Sequence, residues 1–159
     1  IPSKPRIGLY EEATGMKTIG ILGGMSAAST LHYYQRLCDQ TRIRMGGLHS
    51  PELLIRSIDF APIAALQAAG DWDKAGQLLN KEALALERGG AELLLLATNT
   101  MHKLAHEMMA GVSIPLLHIA DATAQAINDA GLHRPGLMAT AFSCISPPAT
   151  IVPVLSLIT

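Results

Sequence analysis

Apolar positions along this chain follow two alternating rhythms. Short unbroken apolar runs occur in "KTIGILGG" (17–24), "ELLIRSIDF" (52–60), "AELLLLA" (91–97), "IPLLHIA" (114–120) and "RPGLMATA" (134–141). Each has the length and the small or turn-forming ending of a buried strand. Between the runs, apolar residues recur every three or four positions, the spacing of a helix. Ser26 is placed to cap a helix running to about Met45, with Leu31, Tyr34, Leu37 and Cys38 as its core face. Asp71 would cap a helix carrying Trp72, Ala75, Leu79, Ala83 and Leu86 on one side, stopped at Gly89 and Gly90. From Asn99 another helix would present Met101, Leu104, Ala105, Met108 and Met109, and "DATAQAINDAGL" (121–132) would form one more. Strands alternating with helices predict βαβ units, hence an α/β fold with a parallel sheet and helices on both faces. The unrelieved "LLLL" of 93–96 marks a central strand of that sheet.

Both ends break the rhythm. Residues 1–15 are mixed, carry two prolines and precede Met16, so they read as an extension, either a vector scar or an upstream read-through. After Ser143 comes "CISPPATIVPVLSLIT", with three prolines, no charge and no helical period. A helix should stand there. The segment reads as the product of a frameshifted or truncated gene, or as a proline-rich edge segment packed on the sheet.

Composition narrows the function classes. The 159 residues fit one ordinary domain, and 49% apolar residues suffice for a packed core. A net charge of −1 gives no reason to expect nucleic acid or an anionic membrane surface as a partner. Two cysteines, Cys38 and Cys144, support neither a disulfide framework nor a cysteine zinc site. No apolar stretch approaches the roughly 18 residues of a membrane span, and the first 15 lack a signal-peptide core. A soluble cytoplasmic protein is the default expectation.

Candidate chemistry gathers where strands end. In "GILGGMS" (20–26), Gly23, Gly24 and Ser26 mark a strand-to-helix turn that is either purely structural or an anion cradle built on the helix N-terminus. The spacing matches neither G-x-G-x-x-G nor G-K-[S/T], so dinucleotide and P-loop readings are weak. Thr98, Asn99 and Thr100 put two hydroxyls and an amide where the central strand meets a helix, at the edge where open α/β sheets hold ligands. Helix capping accounts for one of the three, not for all. Thr140 and Ser143 would end the fifth strand at the same edge, and the two groups could converge on a small carboxylate. Arg56 and Asp59 end the second strand at the same carboxyl edge, as ligand contacts or as a surface ion pair. His102 and His106 lie four apart on one helix. Lacking an acidic third ligand in a zincin pattern, they read better as a solvated or hydrogen-bonded pair than as a metal site. His49 is near the edge but could equally cap a turn.

Four stretches in this order, "MKTIGILGGMS", "GGLHSPELLIRSIDF", "GGAELLLLATNTMHK" and "IPLLHIADATAQAI", resemble the aspartate/glutamate racemase family, most nearly its bacterial amino-acid racemase branch. The likeness covers about residues 16–143. It implies a first α/β lobe over 16–120, the start of a second lobe over 121–143, and an unrelated tail over 144–159. The family works without a cofactor, between two similar lobes and often as a homodimer. Racemisation removes a weakly acidic α-proton and returns it from the opposite face, so two acid/base groups must flank the carbon. In most relatives both are cysteines, the first in a C-N-T motif after the third strand. Here Thr98 holds that place. A threonine hydroxyl is a far weaker acid than a thiol of pKa about 8.5, which implies an asymmetric site favouring one enantiomer. By the same resemblance Asn99, Thr100, Thr140 and Ser143 would hold the α-carboxylate, Met25 and Ser26 would line the floor, and Arg56 would meet a side-chain carboxylate.

The second family cysteine lies in a G-C-T-E motif that these 159 residues do not contain. Cys144 belongs to the tail, and Cys38 reads as a small buried apolar residue. Two function classes therefore stand side by side. One is a cofactor-independent racemase of small acidic amino acids in shortened form. The other is a catalytically inactive half-protein that at most binds a small carboxylate. Related decarboxylase and maleate isomerase chemistry is disfavoured by threonine in place of cysteine.

Overall fold

A computed structural model describes residues 16–134 and 136. The predicted fifth strand beyond Gly136, Thr140, Ser143, the 1–15 extension and the 144–159 tail lie outside the described residues. Four strands form one sheet: β1 (Ile19–Gly23), β2 (Leu53–Ser57), β3 (Leu93–Leu96) and β4 (Leu116–Leu117). Their order is β2-β1-β3-β4 and every pair is parallel. Ile19 stands opposite both Leu53 and Leu93, so β1 and β3 form the centre. Parallel neighbours need crossovers, which the helices α1 (Ala27–Met45), α2 (Phe60–Ala69) and α3 (Trp72–Arg88) supply. A 3-10 segment (Thr100–Leu104) runs into the single turn α4 (Ala105–Met108), and α5 (Ile119–Asp129) follows β4.

Burial explains why the strands read as unbroken apolar runs. On one face, Leu22, Leu94 and Leu96 pack beneath Ile63 of α2, Ala75, Leu79, Ala83 and Leu86 of α3, and Met101, Leu104 and Met108 beyond β3. On the other, Ile19, Ile21, Leu93 and Ala97 meet Tyr33 and Leu37 of α1. The predicted face of α3 is therefore the buried one, apart from Trp72, which packs partly buried at its edge.

Three local expectations are corrected. The core face of α1 is not Leu31 and Tyr34, which are 59% and 46% exposed, but Thr30, Tyr33 and Leu37. The stripe is rotated by about one residue because Thr30 is tied to the preceding turn. Its Oγ1 accepts from Gly24 N at 3.0 Å and donates to the Ser26 carbonyl at 3.1 Å. The strand expected over 52–60 stops at Ser57, and residues 60–69 form α2, which the periodicity had not revealed. Asp59 caps it through Oδ1 and Ala61 N (3.1 Å), and Gly70 ends it in the left-handed region at φ 71°. Finally, α5 begins two residues before Asp121, because the His118 ring accepts from Ala120 N at 3.1 Å.

Candidate active site at the carboxyl edge

After β1 the chain turns into α1 on one face of the sheet; after β3 it turns into the 3-10 segment and α4 on the other. The crevice between the carboxyl ends of β1 and β3 is thus a topological switch point, the place where open parallel sheets bind ligands. The strands are joined right up to this edge, with Ala97 N donating to the Leu22 carbonyl at 2.9 Å.

The β1 turn is shaped by missing side chains. A Cβ on Gly24, whose φ is +89°, would lie 2.2 Å from the backbone oxygen of Ile58, and one on Gly23 would lie 2.3 Å from Thr30 Oγ1. Ile58 N in turn donates to the Gly23 carbonyl at 3.0 Å. The close approach of β2 and α1 to this turn is what requires glycine. Ser26 then caps α1, its Oγ accepting from Ser29 N at 3.3 Å.

The β3 turn is shaped by a buried side chain. His102 is 2% exposed, with Nδ1 2.7 Å from the Thr98 carbonyl and Nε2 3.3 Å from Ile119 N. Its ring meets that of His118 edge-on, centroids 4.5 Å apart. Burial, reinforced by the neighbouring His118, holds the His102 pKa down to about 4, and the bond to the Thr98 carbonyl opposes this only in part. His102 is therefore neutral at pH 7. Above it Thr98 and Thr100 are half-buried and Asn99 is exposed. Asn99 makes no side-chain capping bond, so its amide is not consumed by the helix start. Instead it lines an open cleft of about 600 Å³ together with Ser29, His32, Tyr33 and Arg36 of α1 and Ile119 of α5. Burial raises the Tyr33 phenol pKa, keeping it protonated.

The family follows from sequence and fold together. The family model for Asp/Glu/hydantoin racemases matches residues 22–149. This chain belongs to that family. The broad specificity amino-acid racemase RacX of Bacillus subtilis (strain 168) is 30% identical over 112 residues, which are 69% of this chain and 48% of the relative. A crystal structure from Yersinia pestis, of a protein proposed to be an Asp/Glu racemase, superposes with a TM-score of 0.71 at 47% identity. That of an aspartate racemase homologue from Pyrococcus horikoshii OT3 gives 0.67 at 38%. Each alignment covers 73% of this chain and 50% of the other. The chain spans about half the length of the relatives it matches.

In this racemase-family chain the expected site residues divide. Thr98, Asn99 and Thr100 stand together at the end of β3, and Ser26, after β1, is the exposed cap of α1. Met25 is buried in the core beneath the turn. Arg56 does not join them: its Nε lies 2.5 Å from Glu82 Oε2 of α3, with the Arg56 side chain 55% exposed. Asp59 is the cap of α2, not the partner of Arg56. His106, exposed, lines a separate shallow surface with Asp73 and Glu107, so it does not pair with His102. Among the described residues no three His, Cys, Asp or Glu side chains could share a metal ion. No described helix is long and apolar enough to cross a membrane. Sequence reasoning missed the burial of His102 with its contacts to Thr98 and Ile119, and the α1 side of the cleft. The latter carried a signal: Ser29, His32, Tyr33 and Arg36 recur at helical spacing.

Proposed function

We propose that this chain carries one side of a cofactor-independent amino-acid racemase site for a small acidic amino acid, working in the cytoplasm as a homodimer. The observation that carries the reading is the cluster Thr98-Asn99-Thr100 at the carboxyl end of β3, across the switch-point crevice from the start of α1, in a chain of the racemase family. The substrate α-carboxylate would sit against Asn99, Thr100 and the first backbone N–H groups of α1, which point out of the helix and favour an anion. Thr140 and Ser143 would complete its hold. Thr98 would then stand on one face of the α-carbon as the proton-transferring group. A group of the second lobe, a cysteine by resemblance, would stand on the other. Because a hydroxyl gives up its proton much less readily than a thiol, the two directions of reaction would differ in rate.

Exchange of the α-proton in deuterated water by the chain continued through a second lobe, followed by proton NMR on L- and D-aspartate and glutamate, tests this. The expected result is loss of the α-proton signal, faster from one enantiomer, and its persistence with Thr98→Ala. No exchange with any acidic amino acid sinks the reading. A second reading is a half-site that binds a small carboxylate without turning it over, supported by the open cleft that Asn99 shares with Ser29, His32 and Arg36 of α1. Saturable shifts at Asn99 and Thr100 without exchange would support it, and exchange by the chain itself would exclude it.

A further inference from the structure

We propose that His102 is a positioning residue for Thr98, an imidazole latch that fixes the reacting end of β3 against the start of α5. The inference rests on the role given to Thr98 above. Its ring nitrogens face groups of opposite character. The Thr98 carbonyl can only accept, so Nδ1 carries the proton; the Ile119 N–H can only donate, so Nε2 is bare. One neutral tautomer satisfies both contacts, at 2.7 and 3.3 Å. With both nitrogens engaged and the ring 2% exposed, His102 is not placed to take a proton from substrate.

Its effect is on the backbone. In an α-helix the Thr98 carbonyl would accept from the backbone N–H of His102, four residues on. Here the ring of His102 takes that carbonyl, and the backbone N–H of His102 turns to Asn99 O at 3.2 Å instead. That exchange is why the segment after β3 starts as a 3-10 turn, and it sets the direction in which residues 98–100 leave the sheet. The other end of the latch is also fixed. Ile119 opens α5, and the His118 ring that packs edge-on against His102 caps the same helix through Ala120 N. Thr98 is thereby tied, through one side chain, to an element 21 residues later in the chain. A shift of about 1 Å in a reacting group can cost a hundredfold in rate, so such a tie bears on turnover more than on binding.

Two substitutions separate the ends of the latch. His102→Asn places an N–H donor where Nδ1 stands and keeps the Thr98 contact; His102→Gln places an oxygen near Nε2 and keeps the Ile119 contact. In α-proton exchange, the Asn variant is expected to hold kcat within about threefold of wild type. The Gln variant is expected to lose about tenfold or more with KM within about twofold. Equal kcat in the two variants, or wild-type kcat in the Gln variant, would overturn the proposal. If the wild-type protein continued through the second lobe exchanges no amino acid, the racemase reading has failed and the latch is judged by nitrogen-15 and carbon-13 NMR alone. A protonated Nδ1, a bare Nε2 coupled to the Ile119 amide, and a Thr98 carbonyl resonance that moves in the Gln but not the Asn variant would uphold it. A protonated Nε2, or an unmoved Thr98 carbonyl in the Gln variant, would refute it.

Discussion

The turns after β1 and β3 form the two sides of one crevice and are built in opposite ways. The β1 turn is held by what it lacks: Gly23 and Gly24 leave room for Thr30 and for the backbone of Ile58. The β3 turn is held by what it contains, the buried imidazole of His102, with Thr98 and Thr100 half-buried and Asn99 exposed above it. The first offers backbone, the second side chains. An anion and a proton-transfer group thus have separate supports, and each can be broken without touching the other.

The largest effect is expected at the glycine turn. Gly24→Ala forces a left-handed residue to carry a Cβ into the Ile58 backbone, which cannot yield as a flexible side chain would. A loss of about 3 kcal/mol or more is expected in urea unfolding, enough to remove most of a small domain's stability. A Gly24→Ala chain of wild-type stability would show that the turn is looser than its geometry. Thr98→Ala probes the other side. It should lower the α-proton exchange rate about 10²–10⁴-fold while changing stability by less than about 1 kcal/mol. Thr98→Cys should raise the rate from the slower enantiomer, since the thiol is the stronger acid.

His102 gives a smaller effect with a definite sign. Its folded pKa of about 4 lies below the ordinary 6.5, so protonation favours the unfolded chain. The stability it contributes is fully present above pH 6.5 and is lost as pH falls through that value toward 4. The total is about 3 kcal/mol. The groups whose charge it feels are His118, which lowers its pKa, and Asp121, which raises it weakly. Asp71, held low by Lys74, and Glu87, held low by Ser113, lose their contributions only at more acid pH. Urea midpoints at pH 7, 5.5 and 4 should therefore fall in wild type and much less in His102→Gln. A parallel fall in both would assign the slope elsewhere. The smallest effect is expected outside the crevice. Arg56→Met should leave both the unfolding midpoint and the KM for glutamate unchanged, because the exposed guanidinium is engaged by Glu82. A raised KM confined to acidic amino acids would restore Arg56 to the site.

Much of this was legible along the chain because it is local. "LLLL" between Gly90 and Thr98 reads as a central strand whatever surrounds it. Ser26 and Asp71 cap the helices expected of them, and Asp59 and Gly70, which bracket α2, are local signals of the same kind. The face of α1 was not legible. Leu31 and Tyr34 are as apolar as Tyr33 and Leu37, and only the tie from Thr30 to the glycine turn chooses between the two stripes. Nor was His102, which has the same spacing to His106 in a metal site, a solvated pair or a latch.

The sequence by itself determined the alternation of strands and helices, the caps that open α1 and α3, and the polar triplet at the close of β3. These depend on periodicity and on residues within a turn of one another. Only the tertiary structure decided the sheet order β2-β1-β3-β4, the rotation of α1, and the union of Thr98, His102 and Ile119. Each depends on groups brought together from distant parts of the chain, where packing and the demand that buried polar atoms be paired outweigh any local preference.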